Sequence, residues 1–163
     1  MIYNYCPICG RKLIKKDSWD EGMIPYCEND DQFFFNTPKP CVVVAVLKDK
    51  EIILLKQSYI YKHSKVLISG YVVNGENVED TVYREVKEET GITIENIKYL
   101  GSQCIKDKDL LMLTFLAKYK EGELKTSTEV EWAGWHKLDK AIDEMSEDEV
   151  GKKVVSLILD KYK

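Results

Sequence analysis

Apolar residues occur in short runs separated by polar segments, which predicts several buried strands. Residues 41–47 (CVVVAVL) are rich in β-branched side chains and are predicted to form a strand, with 51–57 (EIILLKQ) as its hairpin partner. A strongly apolar run predicts a strand over 110–119, and shorter or more mixed segments predict strands over 66–68, 93–101 and 129–135. The polar segment 102–109 (SQCIKDKD) is predicted to be a loop.

A first helix is predicted between Asn77 and Gly91. Val78, Val82 and Val86 recur at helical spacing and form one apolar stripe. Asn77 is a residue type that caps helix starts, and glycine commonly stands just past a helix end.

A second helix is predicted near the C-terminus. Ser146 and Glu149 resemble a capping box at its start. Its apolar face is predicted to be core or dimer packing and consists of Val150, Val154, Leu157, Ile158 and Tyr162.

Three carboxylates accompany the apolar stripe of the first helix. At about 100° per residue, Glu85 and Glu89 fall at the edge of that stripe and Glu88 lies beside them. Partly desolvated carboxylates are costly, and three of them this close together also repel one another. A divalent cation relieves both effects, and oxygen ligands suit Mg²⁺ or Mn²⁺. A solvated acidic helix face is the alternative that three glutamates alone leave open.

The segment around these acids has a longer pattern. Residues 70–92 (GYVVNGENVEDTVYREVKEETGI) fill every fixed position of G-x5-E-x7-R-E-U-x-E-E-x-G-U, where U is apolar. The fixed positions are Gly70, Glu76, Arg84, Glu85, Val86, Glu88, Glu89, Gly91 and Ile92. This segment resembles the box that defines the Nudix hydrolases.

The resemblance implies a fold and an activity. The implied fold is the α/β class, a Nudix α/β/α sandwich with a mixed sheet over residues 40–163. The implied reaction is Mg²⁺- or Mn²⁺-dependent hydrolysis of the diphosphate linkage in a nucleoside diphosphate derivative. Glu85, Glu88 and Glu89 would serve the metals, and Glu76 would pair with Arg84 to hold loop and helix together.

Residues 1–39 are predicted to form a separate segment that resembles a zinc ribbon. Cys6 and Cys9 stand in a C-x-x-C, Cys27 follows at a hairpin-length interval, and Asp30 occupies the place of a fourth cysteine. Because a carboxylate oxygen can bind zinc, a structural zinc site of three cysteines and one aspartate is predicted. Cys41 is an alternative fourth ligand, although a strand position suits core packing better. The same spacing is compatible with a ribbon that holds no metal and with a redox pair of the first two cysteines.

A zinc-ribbon-like segment placed before this domain resembles the NADH pyrophosphatase branch of the family. Ser102, Gln103, Leu111, Met112 and Phe115 keep the register of that branch's S-Q-P-W-P-F-P-x-S-L-M-x-x-F. Glu129, Ala133 and Trp135 match its E-I-x-x-A-x-W, in which the glutamate is a further metal ligand. Residues 104–108 (CIKDK) replace P-W-P-F-P, the part that marks a preference for nicotinamide dinucleotides. The resemblance implies NADH, NAD or an ADP-ribose-like dinucleotide as substrate, and a homodimer.

Further site residues are predicted around the box. The carbonyl of Ser69 is expected to face a metal because Gly70 allows unusual backbone angles. Tyr71 is placed to stack on a base, although an aromatic residue there is equally compatible with core packing, and Gln103 is expected to contact substrate. Lys106 and Lys108 would engage phosphates, or else lie in a solvated loop. Among the box acids, Glu88 is either a metal ligand or the general base.

Charge and composition narrow the function classes. The net charge of −4 argues against a broad nucleic-acid footprint. No apolar run is long enough to cross a membrane, and the N-terminus lacks a secretory signal, so a cytoplasmic enzyme acting on a small nucleotide is expected. Two further functions stay open: a nucleotide-sensing module whose ribbon contacts RNA or a partner, and an enzyme that removes a nucleotide cap from RNA.

Overall fold

A computed structural model describes residues 3–161 of the chain. The chain divides into two compact units between Pro38 and Lys39, one residue before the predicted boundary. Tyr162, predicted for the apolar face of the last helix, lies outside the described residues. None of the described helices combines the length and the apolar character needed to cross a membrane.

The first unit is built on a three-stranded antiparallel sheet. Its strands are β1 (Ile14–Asp17), β2 (Met23–Cys27) and β3 (Gln32–Phe33), in the order β1-β2-β3. A short 3-10 turn (Trp19–Glu21) connects the first two strands. Among the described residues of this unit only Cys6, Tyr26 and Cys27 are buried, so its interior holds little apolar surface.

The second unit contains a six-stranded mixed sheet. Its strands are β4 (Lys39–Lys48), β5 (Glu51–Lys56), β6 (Ile68–Tyr71), β7 (Thr93–Ile105), β8 (Leu110–Glu121) and β9 (Trp132–Lys137). The order is β7-β8-β4-β5-β9, and β6 pairs with the first half of β4. Only β4 and β8 run parallel; the other pairs are antiparallel, including the predicted hairpin of β4 and β5.

Alternate residues of β4 point into two separate cores. Val42 and Val44 belong to a cluster that contains Val82 of helix α1 (Val78–Thr90). Val43 and Ala45 belong to a second cluster, which helix α2 (Glu149–Lys161) covers. Successive strand side chains point to opposite faces, so the central run of β4, which has no polar residue, must be covered on both sides. The predicted α/β/α sandwich with a mixed sheet is confirmed.

Three predicted strand boundaries were wrong. Residues 102–105 continue β7 and pair with β8, as in Ser102 opposite Leu113, so only the turn Lys106–Lys108 interrupts the two strands. The polar residues there lie on an edge strand, where polarity marks solvent exposure and does not indicate a loop. The strand predicted from Glu129 begins at Trp132, because the preceding residues form a turn. The strand predicted over 66–68 begins at Ile68 and runs through Tyr71, which places the first residues of the box inside the sheet.

The ends of α1 lie where the sequence predicts them. Gly91 follows the helix with a φ of 72°, and its N–H bonds to the carbonyl of Lys87. Asn77 occupies the N-cap position, but its side-chain amide donates to Asp80 and satisfies no backbone N–H.

The start and the buried face of α2 differ from the prediction. The side chain of Asp148 accepts a 2.9 Å hydrogen bond from the N–H of Gly151, so Asp148 caps the helix. The hydroxyl of Ser146 instead donates to the carbonyl of His63, so the predicted capping box was wrong. Val155 is fully buried, whereas Leu157, which was predicted for the apolar face, is exposed.

Candidate active site

One cavity of about 780 Å³ brings together four predicted metal ligands. Ser69 lines it from β6, Glu85 and Glu89 line it from α1, and Glu129 lines it from the turn before β9. The cavity therefore lies where the box helix faces the sheet.

Glu89 is a carboxylic acid that is almost completely buried. Only 5% of the residue is exposed. The side-chain amide of Gln57 donates to Oε1 of Glu89 at 2.6 Å, and the N–H of Ser69 lies 3.3 Å from Oε2. Burial raises the pKa of Glu89 to about 7, and the nearby charges of Glu85 and Glu129 also raise it. A cation beside this carboxylate would favour its ionised form.

Glu85 approaches the backbone at Gly70 very closely. A Cβ atom at Gly70 would lie 1.9 Å from the carboxyl carbon of Glu85, so no other residue leaves room for this arrangement. Burial raises the pKa of Glu85, although a 2.6 Å hydrogen bond from Arg84 opposes that effect. The two acids of α1 thus lie one helical turn apart, both desolvated and both facing one strand.

Arg84 joins the loop, the strand and the helix. Its Nε and Nη2 donate to the two carboxylate oxygens of Glu76 at 2.8 and 2.9 Å, a bidentate geometry. Nη2 also donates to the carbonyl of Tyr71. Hydrogen bonds from Arg84 and Thr81 hold the pKa of Glu76 at about 2. Arg84 therefore contacts Glu76 of the loop, the carbonyl of Tyr71 and, on α1, Glu85.

Residues 37–157 match the sequence profile of the family described as the NUDIX domain. The chain belongs to the Nudix family. The solved NUDIX hydrolase from Nitrosomonas europaea superposes with a TM-score of 0.81 at 16% identity, covering 98% of this chain and 92% of that one. At that identity the likeness shows the fold, which confirms the predicted Nudix architecture.

Two curated relatives of this Nudix chain share a name. The NAD-capped RNA hydrolase NudC of Pseudomonas syringae pv. tomato is 33% identical over 138 residues, covering 84% of this chain and 49% of the relative. The protein of the same name from Vibrio parahaemolyticus is 35% identical over 134 residues, covering 80% of this chain and 50% of the relative. The chain spans about half the length of the curated relatives it matches.

Not every residue predicted for the Nudix site borders the cavity. Tyr71, Gln103 and Lys108 line it, whereas Glu88 and Lys106 do not. The side chain of Glu88 is 58% exposed and accepts a 3.0 Å hydrogen bond from Arg84. The ammonium of Lys108 lies 5.6 Å from the ring centre of Tyr61, another residue of the lining.

Gln57 is a site residue that the sequence reasoning missed. It follows β5, on the strand face that buries Ile53 and Leu55 towards α1, and it is fully buried. Its Oε1 has no hydrogen-bond partner among the described residues. The signal was a polar residue at a position where the alternation of a strand predicts burial.

Tyr59 is another residue that the sequence did not reveal, and Cys41 is buried in β4, as its strand position predicted. Tyr59 lines the cavity, and burial together with the charges of Glu89, Glu129 and Glu85 raises its pKa. Cys41 lines the same cavity within the second unit. Burial raises the pKa of its thiol to about 11, so the thiol stays protonated and weakly nucleophilic.

The predicted zinc ligands of the first unit lie together. Each of Cys6, Cys9, Cys27 and Asp30 directs one ligand atom into a cluster in which these atoms are within 4.8 Å of one another.

Proposed function

We propose that this Nudix chain hydrolyses the diphosphate linkage of an NAD-type dinucleotide, with NADH, NAD and ADP-ribose-like compounds as the substrate class. The observation that carries the proposal is the meeting of Ser69, Glu85, Glu89 and Glu129 around one cavity. Its volume of about 780 Å³ lies within the roughly 300–1,000 Å³ usual for small-molecule sites. The names of the curated relatives support the nicotinamide dinucleotide as substrate.

The donor set fits Mg²⁺ or Mn²⁺. All four groups offer oxygen atoms, three carboxylates and one backbone carbonyl, which are ligands that hard divalent ions prefer. Burial raises the pKa of Glu89 to about 7, and a bound cation would favour the ionised carboxylate that metal binding needs. Such an ion, when bound, polarises phosphate oxygens and lowers the pKa of an attacking water.

The protein's own residues prepare the acids for this role. The N–H of Ser69 and the amide of Gln57 fix the two oxygens of Glu89. Arg84 donates a 2.6 Å hydrogen bond to Glu85 and is itself held by Glu76, so it would orient the carboxylate of Glu85. A carboxylate whose two oxygens are already oriented by donors would need little reorganisation to bind a metal ion.

Aromatic and basic side chains give the cavity a place for the rest of a dinucleotide. Tyr59 and Tyr71 line it and are 68% and 54% exposed, so their rings are available to stack on a base or a nicotinamide. Lys108 lines the same cavity, whereas Lys106 lies outside it, so we assign phosphate contact to Lys108 alone.

An RNA that carries NAD at its 5′ end is a second candidate substrate. The names of the relatives favour it, and the bond cleaved would be the same. The net charge of −4 gives such an RNA little electrostatic attraction, so we place the free dinucleotide first.

The test is hydrolysis by the full chain over a panel of NADH, NAD, ADP-ribose, FAD, diadenosine polyphosphates, nucleoside triphosphates and NAD-capped RNA, with Mg²⁺ or Mn²⁺. AMP released from NADH or NAD faster than from the rest supports the proposal. Glu85→Gln serves as the inactive control. Turnover of none of these by folded, metal-supplied protein would refute hydrolysis and favour a nucleotide-binding module.

Light scattering on the same sample checks the homodimer that the branch resemblance implies.

A further inference from the structure

The turn that follows β5 is attached to two parts of the candidate site. Gln57, at the start of the turn, donates a 2.6 Å hydrogen bond to Glu89 of α1. Ser58 is bound to the segment that carries Glu129. Its N–H donates to Oε1 of Glu131 at 3.1 Å, and its hydroxyl donates to the same oxygen. The turn therefore connects the acids of α1 with the segment before β9.

Tyr59 is the next residue of this turn, and its side chain lines the cavity. The N–H groups of Ile60 and Tyr61 bond to the carbonyl of Gln57 at 2.9 and 3.2 Å, which closes the turn behind it. The backbone on both sides of Tyr59 is thus held by hydrogen bonds, although 68% of the residue is exposed. Its phenol is presented to the cavity from a fixed turn.

The phenol of Tyr59 faces the predicted metal ligands. Burial raises the pKa of Tyr59, and the charges of Glu89, Glu129 and Glu85 raise it further, without a contribution from any hydrogen bond to a described residue. The pKa of Tyr61 is instead raised by burial and by acids at the start of α2. The two phenols therefore face different ends of one cavity. Tyr59 stays protonated at neutral pH, so its hydroxyl is available as a donor.

We infer that the hydroxyl of Tyr59 donates a hydrogen bond to an oxygen of the scissile diphosphate, which makes Tyr59 a catalytic residue. This rests on the proposed function, since a diphosphate bound beside Glu85, Glu89 and Glu129 would have its oxygens where this hydroxyl lies. A donor held there before the reaction would stabilise the negative charge that develops on the phosphate. Stacking on a base uses the face of the ring and needs no hydroxyl, so the two roles can be separated.

The test compares Tyr59→Phe with the wild type in the Mg²⁺-dependent hydrolysis of NAD and NADH. The substitution keeps the ring and removes only the hydroxyl of an exposed residue, so the variant should fold. Loss of a hydrogen bond to a charged group should lower kcat about 10–100-fold. KM should change by less than about threefold, because the bond strengthens as charge develops. Tyr83→Phe, on α1 but outside the cavity lining, is the matched control and should keep wild-type rates.

A binding measurement separates Tyr59 from the metal ligands. Calorimetry without nucleotide should give the same Mg²⁺ affinity for Tyr59→Phe as for the wild type, because a neutral phenol is not a ligand. Weakened Mg²⁺ binding would overturn the inference, since Tyr59 would then act through the acids. Wild-type kcat in Tyr59→Phe, with activity lost only in Tyr59→Ala, would also overturn it and leave stacking as the role. A wild-type chain that hydrolyses neither dinucleotide would refute the proposed function together with the inference.

Discussion

Replacing Glu89 by glutamine should stabilise the metal-free protein while abolishing hydrolysis. Burial raises the pKa of Glu89 from its ordinary value of 4.5 to about 7. The folded protein therefore binds this proton more tightly than the unfolded chain does. As a result, the free energy of unfolding falls as the pH rises from about 4.5 to about 7. Glutamine is never ionised, so the free energy of unfolding of the variant does not fall over this pH range.

The size of the effect follows from the difference between the two pKa values. A difference of about 2.5 corresponds to about 3 kcal/mol of unfolding free energy above pH 7. The glutamine keeps an acceptor for Gln57, but its amide cannot accept from both Gln57 and the N–H of Ser69. Losing one hydrogen bond costs about 1 kcal/mol, so a net gain of about 2 kcal/mol is expected at pH 8.

The assay is urea unfolding without Mg²⁺ or Mn²⁺, followed by the fluorescence of Trp132 and Trp135 of the second unit in a Trp19→Phe background, because Trp19 lies in the first unit. The gain should shrink by roughly 2 kcal/mol between pH 8 and pH 5.5, because Glu89 of the wild type is then protonated when folded. Adding Mg²⁺ should stabilise the wild type and leave the variant unchanged.

Glu88→Gln is the matched control for this prediction. It removes the same charge one residue away, but its side chain is 58% exposed, so its stability should change by no more than about 0.5 kcal/mol. A Glu89→Gln variant that is no more stable than the wild type at pH 8 would refute the view that Glu89 is a desolvated carboxylate. Retained hydrolysis would refute its assignment as a metal ligand.

Three further substitutions test neighbouring parts of the site. Gly70→Ala should lower kcat/KM at least about 100-fold, because the added methyl group displaces the carboxylate of Glu85. The free energy of unfolding in urea should fall by under about 1 kcal/mol, since the end of a flexible side chain can move. Gln57→Leu removes the 2.6 Å hydrogen bond to Glu89 and should weaken Mg²⁺ binding, measured by calorimetry, about 10–100-fold at pH 7. The effect should be smaller at pH 9, because Glu89 is then ionised even without that hydrogen bond. Asp148→Ala removes the cap of α2 and should cost about 1 kcal/mol in the same unfolding assay while Mg²⁺ affinity stays unchanged.

The architecture was predictable because its signals are local. The apolar run of β4 has no polar residue on either face, which already implies covering elements on both sides of the sheet. The facing of Glu85 and Glu89 follows from helical spacing alone. The loop predicted at residues 102–105 was wrong, because an exposed edge strand and a loop can have the same polar composition.

The contacts that hold the site acids in place were not predictable, because they join residues that are distant in the chain. Gln57 and Glu89 are 32 positions apart and meet only because β5 and α1 pack on the same core. The closeness of Gly70 to Glu85 depends on how near α1 lies to β6, which no local pattern specifies. The roles of the box acids, and the zinc ligands of the first unit, stay predictions.

The geometry of the acids depends on the apolar packing beneath them. β6 is fixed in the sheet by its pairing with β4, and α1 is held above it by Val82 and Val86, both fully buried. Ser69 and Gly70 then act on α1 in different ways: the N–H of the first binds Glu89, and the missing side chain of the second admits Glu85. Truncating a core valine would leave a cavity, and because protein interiors are closely packed, α1 and its acids would shift in response. The same core that holds the helix on the sheet therefore also sets the separation of the proposed metal ligands.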